Sequence, residues 1–334
     1  MNKGQNYCRF TLPADILAIL RCPACHLPLA IAESGVYCKV CDDKFPAVNG
    51  VIRFTGSSNY AESFGFQWFR FARTQLDRDG FRQSEKDFRE RTGFVADDLV
   101  GKLVLDVGCG MGRFAEVATR WGARVVGIDL SQAAEVAAEN LSDQWSATFF
   151  QADVFALPFA PESFDYIYSL GVLHHTPDCE RAFKVLPSLL KPGGTIAIWL
   201  YSAYNNWYRS SDLYRKVTHR LPKKVLLTLC QVAVPLYYLH KGLRHVPLIG
   251  KVASAAVRFL LPTNLDPNAE VRVLDTFDWY SPRYQSKHTY EQVSRWFEAC
   301  GLDSIRVLEQ AVSLRGRRPK IGSEAHSEAV SDRA

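Results

Sequence analysis

Three glycines alternate with other residues in the segment LDVGCGMG, residues 105–112, directly after a short apolar run. The apolar residues 103–107 predict a buried strand, and residues 113–121 predict a helix that stops at a glycine. Glycines at such a strand-to-helix turn let the backbone turn tightly and let a ligand approach closely. The next predicted strand, 124–129, ends at Asp129, whose carboxylate is placed to accept hydrogen bonds from two ribose hydroxyls.

The spacing of these glycines separates two kinds of ligand site. A dinucleotide-binding loop has the pattern G-x-G-x-x-G, whereas this loop has G-x-G-x-G and Arg at position 113. Asp106 also precedes the first glycine, where an anionic side chain would repel a pyrophosphate and suit a cationic amino-acid ligand. The loop therefore favours a ligand with a ribose, an ammonium group and no phosphate. The alternative is a plain strand–helix turn that binds nothing.

Strands and helices alternate through the middle of the chain. Residues 148–152, 164–170 and 195–200 predict strands, and residues 133–141 and 179–190 predict helices, the second kinked or frayed in its last turn by Pro187. The Lys-Pro-Gly-Gly sequence at 191–194 predicts a turn. This alternation predicts an α/β fold with a parallel sheet covered by helices on both faces.

These segments resemble, in order, the motifs of class I S-adenosylmethionine-dependent methyltransferases. Residues 105–112 resemble motif I, residues 151–159 the segment whose Asp contacts the adenine amine, and residues 168–175 the segment that lines the methyl-transfer site. The resemblance implies a Rossmann-like sheet of seven strands, with one antiparallel strand near its edge, and S-adenosylmethionine (SAM) as the cofactor. It also implies a cofactor-binding set made of Asp106, Gly108, Cys109, Gly110, Gly112, Asp129, Leu130, Asp153, Val154, Ser169 and Leu170.

Four of the nine cysteines form two C-x-x-C pairs, Cys22 with Cys25 and Cys38 with Cys41. Two such knuckles can place four thiolates around one zinc ion, and a closed set of four indicates a structural metal. A thiol–disulfide redox site is the alternative for a single pair, and the second pair weakens it. Residues 17–55 also resemble zinc ribbons fused to bacterial methyltransferases, and the small activator subunit of tRNA methyltransferases.

The remaining cysteines are scattered, and the total is odd, which favours a reducing cytoplasm over a disulfide framework. Residues 1–10 lack the apolar core and cleavage site of a secretory signal, and no run of 18 apolar residues occurs. We therefore expect a cytoplasmic protein.

Two further groups are candidates for the site. Residues 64–71, FGFQWFRF, are unusually aromatic. They predict either a flap over the cofactor, with Gln67 or Trp68 touching it, or packing between the ribbon and the main domain. His174 and His175 follow the fourth strand, where the ligand crevice of an open α/β sheet lies. They are candidate catalytic bases for an oxygen or nitrogen acceptor, or else a structural pair that holds the loop.

Residues 201–262 contain ten Lys or Arg and one acidic residue, a net charge of +9 against +5 for the whole chain. Basic amphipathic helices of this composition can contact anionic membranes as a peripheral protein does. The stretch also fits an anionic or lipid-linked acceptor, or a lid whose basic face is solvated. RNA is a weaker candidate, which Trp207 and Tyr208 permit through base stacking.

The predicted organisation has four parts: a zinc ribbon at 1–56, a helical cofactor-covering segment at 57–100, a methyltransferase domain at 101–319 with an insertion at 201–287, and a disordered tail at 320–334. The predicted activity is methyl transfer from SAM to a small-molecule, glycan or lipid-linked acceptor. Two alternatives stay open: a ribosomal-RNA base methyltransferase, and a non-catalytic adaptor that keeps the fold and binds a partner through the ribbon. The pattern leaves the oligomeric state open.

Overall fold

The computed structural model describes residues 12–56, 59–78, 80, 82–204 and 209–320. Trp207 and Tyr208, the residues that would stack on RNA bases, lie outside the described residues. The tail that the sequence predicts to be disordered also lies outside them, apart from Lys320. No helix in the described ranges is long and apolar enough to cross a membrane.

The N-terminal unit is a small antiparallel meander that follows helix α1 (Ala14–Ile19). Its strands pair in chain order, each antiparallel to the next. They are β1 (Leu29–Ala32), β2 (Gly35–Cys38), β3 (Lys44–Val48) and β4 (Val51–Arg53).

Three helices lead from this unit to the central domain: α2 (Glu62–Arg70), α3 (Gln83–Thr92) and α4 (Ala96–Leu99). The central strands are β5 (Leu103–Val107), β6 (Arg124–Asp129), β7 (Ala147–Gln151), β8 (Phe164–Leu170), β9 (Leu190–Trp199), β10 (Asp303–Val307) and β11 (Ser313–Arg317). Their order is β7-β6-β5-β8-β9-β11-β10. The first five are parallel, and β11 is antiparallel to both of its neighbours.

Helices cover both faces of this sheet, because successive side chains of a strand point to opposite sides. On one face, Leu105 and Val107 of β5 share a core with α1, with α7 (Cys179–Lys184) and with α13 (Tyr290–Ala299). On the other face, Val104 shares a core with α3, α5 (Arg113–Arg120) and α6 (Ala133–Asn140). The predicted α/β fold with helices on both faces is therefore confirmed.

The N-terminal unit extends the central sheet. Strand β4 pairs in parallel with β7, with Ile52 opposite Phe150, so the sheet has eleven strands in the described ranges. Cys22 and Cys38 are buried in the same core as Ile52 and Phe150. The sheet thus has more strands than the seven expected, because the strands of the cysteine-bearing unit add to its edge.

The predicted helix 179–190 is wrong at its C-terminal end. Helix α7 stops at Lys184, and a short 3-10 helix, Pro187–Leu189, replaces the predicted last turn. Proline lacks the N–H that would continue the helical hydrogen bonds, and its ring clashes with the preceding turn. The sequence predicts a kinked or frayed last turn there, and the α-helix in fact ends before Pro187.

The predicted turn at 191–194 is also wrong, because these residues lie inside strand β9. Phe164 pairs with Leu190 and Tyr166 pairs with Thr195, so residues 191–194 bulge outward opposite a single residue of β8. Proline at 192 has no N–H to donate to a neighbouring strand. A bulge leaves this residue unpaired, so strand β9 can continue on either side of it.

The insertion between β9 and α13 is helical. It contains α8 (Arg209–Thr218), α9 (Lys223–Cys230), α10 (Ala233–Leu243), α11 (Gly250–Leu260) and α12 (Ala269–Tyr280). Helix α12 contacts α8, α9 and α10 on one side and reaches α2 on another. Leu226, Cys230, Leu274 and Phe277 form a small core there with Phe71. Helix α12 therefore connects the insertion to the domain that carries the glycine loop.

Candidate active site

A cavity of about 1240 Å³ lies at the carboxyl ends of the parallel strands. The glycine loop after β5, the end of β6, helix α2 and helix α12 all contribute to its lining. The volume exceeds the range of about 300–1000 Å³ that is usual for one small-molecule site. The cavity therefore has room for two small molecules side by side.

The glycine loop is packed closely on two sides. Gly110 has a φ of +51°, and a Cβ atom there would lie 3.0 Å from the indole nitrogen of Trp68 on α2. Gly112 has a φ of +87°, and a Cβ atom there would lie 2.7 Å from the side chain of Leu141. Gly108, Cys109 and Gly110 line the cavity, whereas Gly112 lies outside its lining and packs against the end of α6.

Asp129 faces the cavity from the end of β6, with both carboxylate oxygens held by the protein. Its Oδ2 accepts the N–H of Gly110 at 3.0 Å, and its Oδ1 accepts the N–H and the hydroxyl of Ser131 at 2.8 and 2.7 Å. Burial raises the pKa of Asp129, while these hydrogen bonds act in the opposite direction. The acid is thereby fixed next to the glycine loop, with Leu130 beside it in the lining.

Asp153 lies beside the cavity rather than in its lining. Its Oδ1 accepts the N–H of Phe155 at 3.0 Å, and its neighbours Ala152 and Val154 line the cavity. Tyr60 is close by: burial raises the pKa of its hydroxyl, and the charges of Asp153 and Asp129 raise it further. The segment that follows β7 thus presents Ala152 and Val154 to the cavity and keeps Asp153 half-buried.

Asp106 and Ser169 lie below the cavity floor. The hydroxyl of Tyr168 donates to Asp106 Oδ2 at 3.0 Å, and the hydroxyl of Ser169 donates to the carbonyl oxygen of Val107 at 2.9 Å. Burial raises the pKa of Asp106 to about 8, and the charge of Asp129 adds to the rise. Burial thus favours the neutral form of the Asp106 carboxyl, which weakens the repulsion of a pyrophosphate expected from the sequence. Leu170, the next strand residue after Ser169, does line the cavity.

The two histidines occupy different environments within the 3-10 helix Leu173–His175. His174 is fully buried, its ring stacks on Tyr201 with centroids 3.9 Å apart, and neither ring nitrogen has a hydrogen-bond partner among the described residues. His175 lines the cavity, and its Nδ1 lies 3.0 Å from the carbonyl oxygen of Tyr284. Burial lowers the pKa of both imidazoles. Only His175 combines a neutral ring, an oriented nitrogen and a place in the cavity lining.

Helix α2 supplies the aromatic cover of the cavity. Gln67 and Trp68 both line it, and the ring of Phe64 lies 5.0 Å from that of His175. Gln67 is buried, and its Oε1 has no hydrogen-bond partner among the described residues. A buried unpaired carbonyl oxygen is costly, and it marks a position where a ligand can donate a hydrogen bond.

The far end of the cavity carries a charged wall that the sequence motifs did not indicate. We define the charged wall as Asp87, Arg91, Arg113, Asp275 and Asp278, all of which line the cavity. Arg113 Nη2 lies 2.5 Å from Asp87 Oδ2, and the Arg91 guanidinium lies 4.0 Å from the ring centroid of Trp199. Burial lowers the pKa of Arg91 to about 10.

Helix α12 faces these arginines with two carboxyl groups. Asp278 Oδ2 accepts the hydroxyl of Tyr201 at 2.7 Å, and Asp275 Oδ2 accepts the side-chain amide of Asn264 at 2.9 Å. Burial raises the pKa of Asp275 to about 7, and the nearby charge of Asp278 contributes. Tyr201 also stacks on His174, so it connects the charged wall to the histidine pair.

The four clustered cysteines converge in the N-terminal unit. The sulfur atoms of Cys22, Cys25, Cys38 and Cys41 all lie within 4.8 Å of one another. Four thiolates around one zinc ion would be about 3.8 Å apart, because zinc–sulfur bonds are about 2.3 Å long and tetrahedral. The backbone N–H groups of Cys41 and Val40 lower the pKa of Cys38 to about 7, whereas burial raises the pKa of Cys22 and the hydrogen bond with Cys25 raises that of Cys41. The cysteines therefore suit a tetrahedral zinc ion.

Comparison with known proteins finds a family match for the central part of the chain. Residues 105–198 match the family model described as methyltransferase domain. The chain is 32% identical to the sterol 24-C-methyltransferase of Saccharomyces cerevisiae over 128 residues, which are 36% of this chain and 33% of that protein. It is 37% identical to the ubiquinone biosynthesis O-methyltransferase of Idiomarina loihiensis over 127 residues, 36% of this chain and 52% of that protein.

The chain spans about half or less of the length of these curated relatives. Among solved structures, it is similar to phosphoethanolamine N-methyltransferase 2 of Haemonchus contortus. That similarity has a TM-score of 0.41 and 18% identity, and it covers 74% of this chain and 43% of the other. The family match identifies residues 105–198 as a methyltransferase domain.

Proposed function

We propose that this protein transfers a methyl group from SAM to a polar acceptor that lies against the charged wall. One observation carries the proposal. A single cavity contains the glycine loop with Asp129, the neutral imidazole of His175 and the charged wall, and it has the volume for two small molecules. A cofactor at the loop and an acceptor at the wall would meet beside His175.

The residues of the cofactor end fit SAM. SAM carries a ribose, and Asp129 is an acid held in the lining beside the glycine loop, where it would accept hydrogen bonds from the ribose hydroxyls. Gly108, Cys109, Gly110, Leu130, Val154, Leu170 and Gln67 would complete the contact surface, and all of them line the cavity. Asp106, Gly112, Asp153 and Ser169 lie behind or beside the lining, so we assign them positioning roles.

When bound, SAM supplies an electrophilic methyl group whose bonding electron pair stays on sulfur as the acceptor's lone pair attacks. The chain's own contribution is positioning and removal of a proton. The Nε2 atom of His175 is buried without a hydrogen-bond partner among the described residues, and it would accept the proton from an acceptor hydroxyl or ammonium. We assign His174 a supporting role behind it, because its ring stacks on Tyr201.

The charged wall supports an acceptor with several polar groups. It offers guanidinium groups from Arg91 and Arg113 and carboxyl groups from Asp275 and Asp278. Together they can bind an anionic group at one point and hydroxyl or amino groups at another. The relatives named for sterol and ubiquinone methylation support a small-molecule acceptor over RNA. A small molecule, a glycan or the polar part of a lipid-linked molecule meets this description.

We also propose a structural zinc ion bound by Cys22, Cys25, Cys38 and Cys41. The convergence of the four sulfur atoms supports it, and four protein ligands leave no open position for catalysis. The ion would brace the N-terminal unit against the edge of the sheet, because Cys22 and Cys38 belong to the core shared with β7. A cytoplasmic location stays a prediction from the sequence.

The test is calorimetric titration of the purified protein with SAM and with its demethylated product. We expect micromolar binding of both and loss of binding in Asp129→Ala. Asp303→Ala, which changes a half-buried acid on β10 outside the cavity lining, is the matched control. Each variant is checked by thermal unfolding, so that loss of fold is not mistaken for loss of a ligand contact. Absence of binding to the folded wild type would reject the enzyme in favour of the adaptor alternative.

A further inference from the structure

The outer surface of the insertion exposes apolar side chains to an unusual extent. Fifteen of the 24 exposed large apolar side chains in the described ranges lie between residues 213 and 261. Soluble proteins rarely expose such residues in one contiguous group unless the group contacts a partner or a membrane. The cofactor and acceptor ends of the cavity do not account for these side chains, because none of the fifteen lines the cavity.

The most exposed part is the tip between α10 and α11. All six residues from 244 to 249 are exposed, and the last four of them, Val-Pro-Leu-Ile, are apolar. Leu248 is fully exposed and has a φ of +65°, a left-handed conformation that leucine rarely adopts. The chain thus holds an apolar side chain outward at a position where the backbone favours glycine or asparagine.

Cationic side chains flank this tip along the chain. The exposed Lys241 and Arg244 precede it, and the exposed Lys251 follows it. Helices α8 and α9 and the loop between them add the exposed Lys216, Arg220 and Lys224 to the surface of the insertion. Residues 213–265 contain no Asp or Glu. An apolar tip flanked by cations, on a basic insertion, matches the surface of a bilayer that contains anionic lipids, where apolar groups enter the acyl region and cations contact the headgroups.

We propose that the α10–α11 tip docks this protein on the surface of an anionic lipid bilayer. A second copy of the chain is the competing occupant. In a symmetric dimer the same patch meets itself, which would bring two surfaces of the same positive charge together. An anionic bilayer supplies both the apolar phase and the opposite charge. The inference concerns the insertion alone and goes beyond the proposed methyl transfer.

The experiment is flotation of the purified full-length chain with vesicles of phosphatidylcholine alone and of phosphatidylcholine with 30% phosphatidylglycerol. We expect binding to the anionic vesicles, and binding to neutral vesicles weaker by about ten-fold or more. The double variant Leu248→Asn with Ile249→Ser should lower anionic binding by about ten-fold or more. Asparagine tolerates a left-handed φ, so this variant keeps the fold and its unfolding midpoint should not decrease.

Matched controls separate the tip from the rest of the surface. Trp145→Asn removes a fully exposed apolar side chain outside the insertion and should leave flotation unchanged. Lys241→Glu with Arg244→Glu should abolish anionic binding, whereas Lys102→Glu, at an exposed lysine outside the insertion, should have little effect. SAM affinity is measured for every variant and should not change, so failure of docking and failure of the proposed activity are distinguishable.

Three outcomes would overturn the proposal. The first is absence of flotation with anionic vesicles. The second is equal binding to neutral vesicles, which would remove the role of the cations. The third is self-association of the free protein in sedimentation velocity that the Leu248→Asn and Ile249→Ser double variant abolishes. That result would assign the tip to an interface between copies of this chain.

Discussion

The Nδ1 atom of His175 lies 3.0 Å from the backbone carbonyl oxygen of Tyr284, a residue 109 positions further along the chain. A carbonyl oxygen only accepts hydrogen bonds, so Nδ1 carries the proton and the lone pair of the neutral ring is on Nε2. Burial lowers the pKa of His175 and keeps the ring neutral near pH 7. The loop before α13 therefore orients the ring as a proton acceptor.

The first prediction separates the two histidines. His175→Ala should lower turnover by about 10²–10⁴-fold, the usual contribution of a general base, and should leave SAM affinity unchanged. His174→Phe preserves a ring against Tyr201 and should change turnover by less than about threefold. The measurement is transfer of labelled methyl groups from SAM into a total metabolite and lipid extract.

The pH profile provides a second readout of the same role. Because the pKa of His175 is lowered, the base stays unprotonated as the pH falls through 6.5. Turnover should therefore stay level from pH 8 to below 6.5 and decline only at more acidic pH. A decline centred at 6.5 or above, or a larger loss in His174→Phe than in His175→Ala, would contradict the assignment.

The second prediction concerns the buried amide of Gln67. Gln67→Met conserves size and removes a carbonyl oxygen that has no hydrogen-bond partner among the described residues. If SAM donates to this oxygen, SAM affinity should fall about fivefold, the equivalent of about 1 kcal/mol. The unfolding midpoint of the SAM-free protein should not decrease, because an unpaired polar atom has been removed from the interior.

The matched control is Gln231→Met, at an exposed glutamine in the insertion. Titration calorimetry gives the affinities, and differential scanning calorimetry gives the midpoints. If Gln67→Met kept full SAM affinity, α2 would have only the packing role that the aromatic sequence also permits.

The strands nearest the glycine loop were predictable because each is a short apolar run with a clear boundary. Residues 103–107, 124–129 and 164–170 have the bounds expected, since a glycine loop follows the first strand, Asp129 ends the second and Gly171 follows the third. The errors lie at prolines. Proline at 187 and at 192 removes a backbone donor, and only the surrounding sheet decides whether the chain then turns or bulges.

The charged wall was not predictable because its members are distant in sequence and belong to no shared motif. Arg91 lies on α3, whereas Asp275 and Asp278 lie on α12 of the insertion. Only the folding of the insertion, which packs α12 against α2, places all three side chains in one cavity lining. One local signal was available. Asp275 and Asp278 are three residues apart on one helix, so they share a face. The strong positive charge of residues 201–262 predicts a basic surface for the insertion and gives no sign of this acidic face.

The third prediction tests the zinc ion. Metal analysis of the purified protein should find one zinc per chain, and Cys38→Ser should lose it, because three remaining thiols bind zinc less well than four. The unfolding midpoint of the whole domain should fall in the same variant, since Cys38 lies in the core shared with the central sheet. Cys230→Ser changes a buried cysteine in the insertion and should keep the metal. Zinc retained in Cys38→Ser, or absent from wild type, would refute the assignment.

The fourth prediction uses the raised pKa of Asp275. Its pKa is about 7 in the folded chain against 3.8 for an ordinary aspartate, so the folded state binds the proton more tightly than the unfolded state does. This contribution to stability is complete below pH 4 and is lost as the pH rises towards 7. Asp275→Asn should therefore match wild type near pH 4 and become increasingly more stable up to pH 7, by at most about 1.4 kcal/mol per pH unit.

Urea unfolding at pH 4, 5.5, 7 and 8 measures this difference. The pKa of Asp106 is raised to about 8, so this residue also lowers the free energy of unfolding as the pH rises. Asp106 is present in both wild type and Asp275→Asn, so its effect cancels in the comparison. Asparagine at 275 still accepts the hydrogen bond from Asn264, so the variant isolates the charge. A difference that stays constant from pH 4 to 8 would mean that Asp275 is ionised throughout. The charged wall would then hold a permanent negative charge opposite Arg91, and a cationic group on the acceptor would be favoured over a neutral hydroxyl.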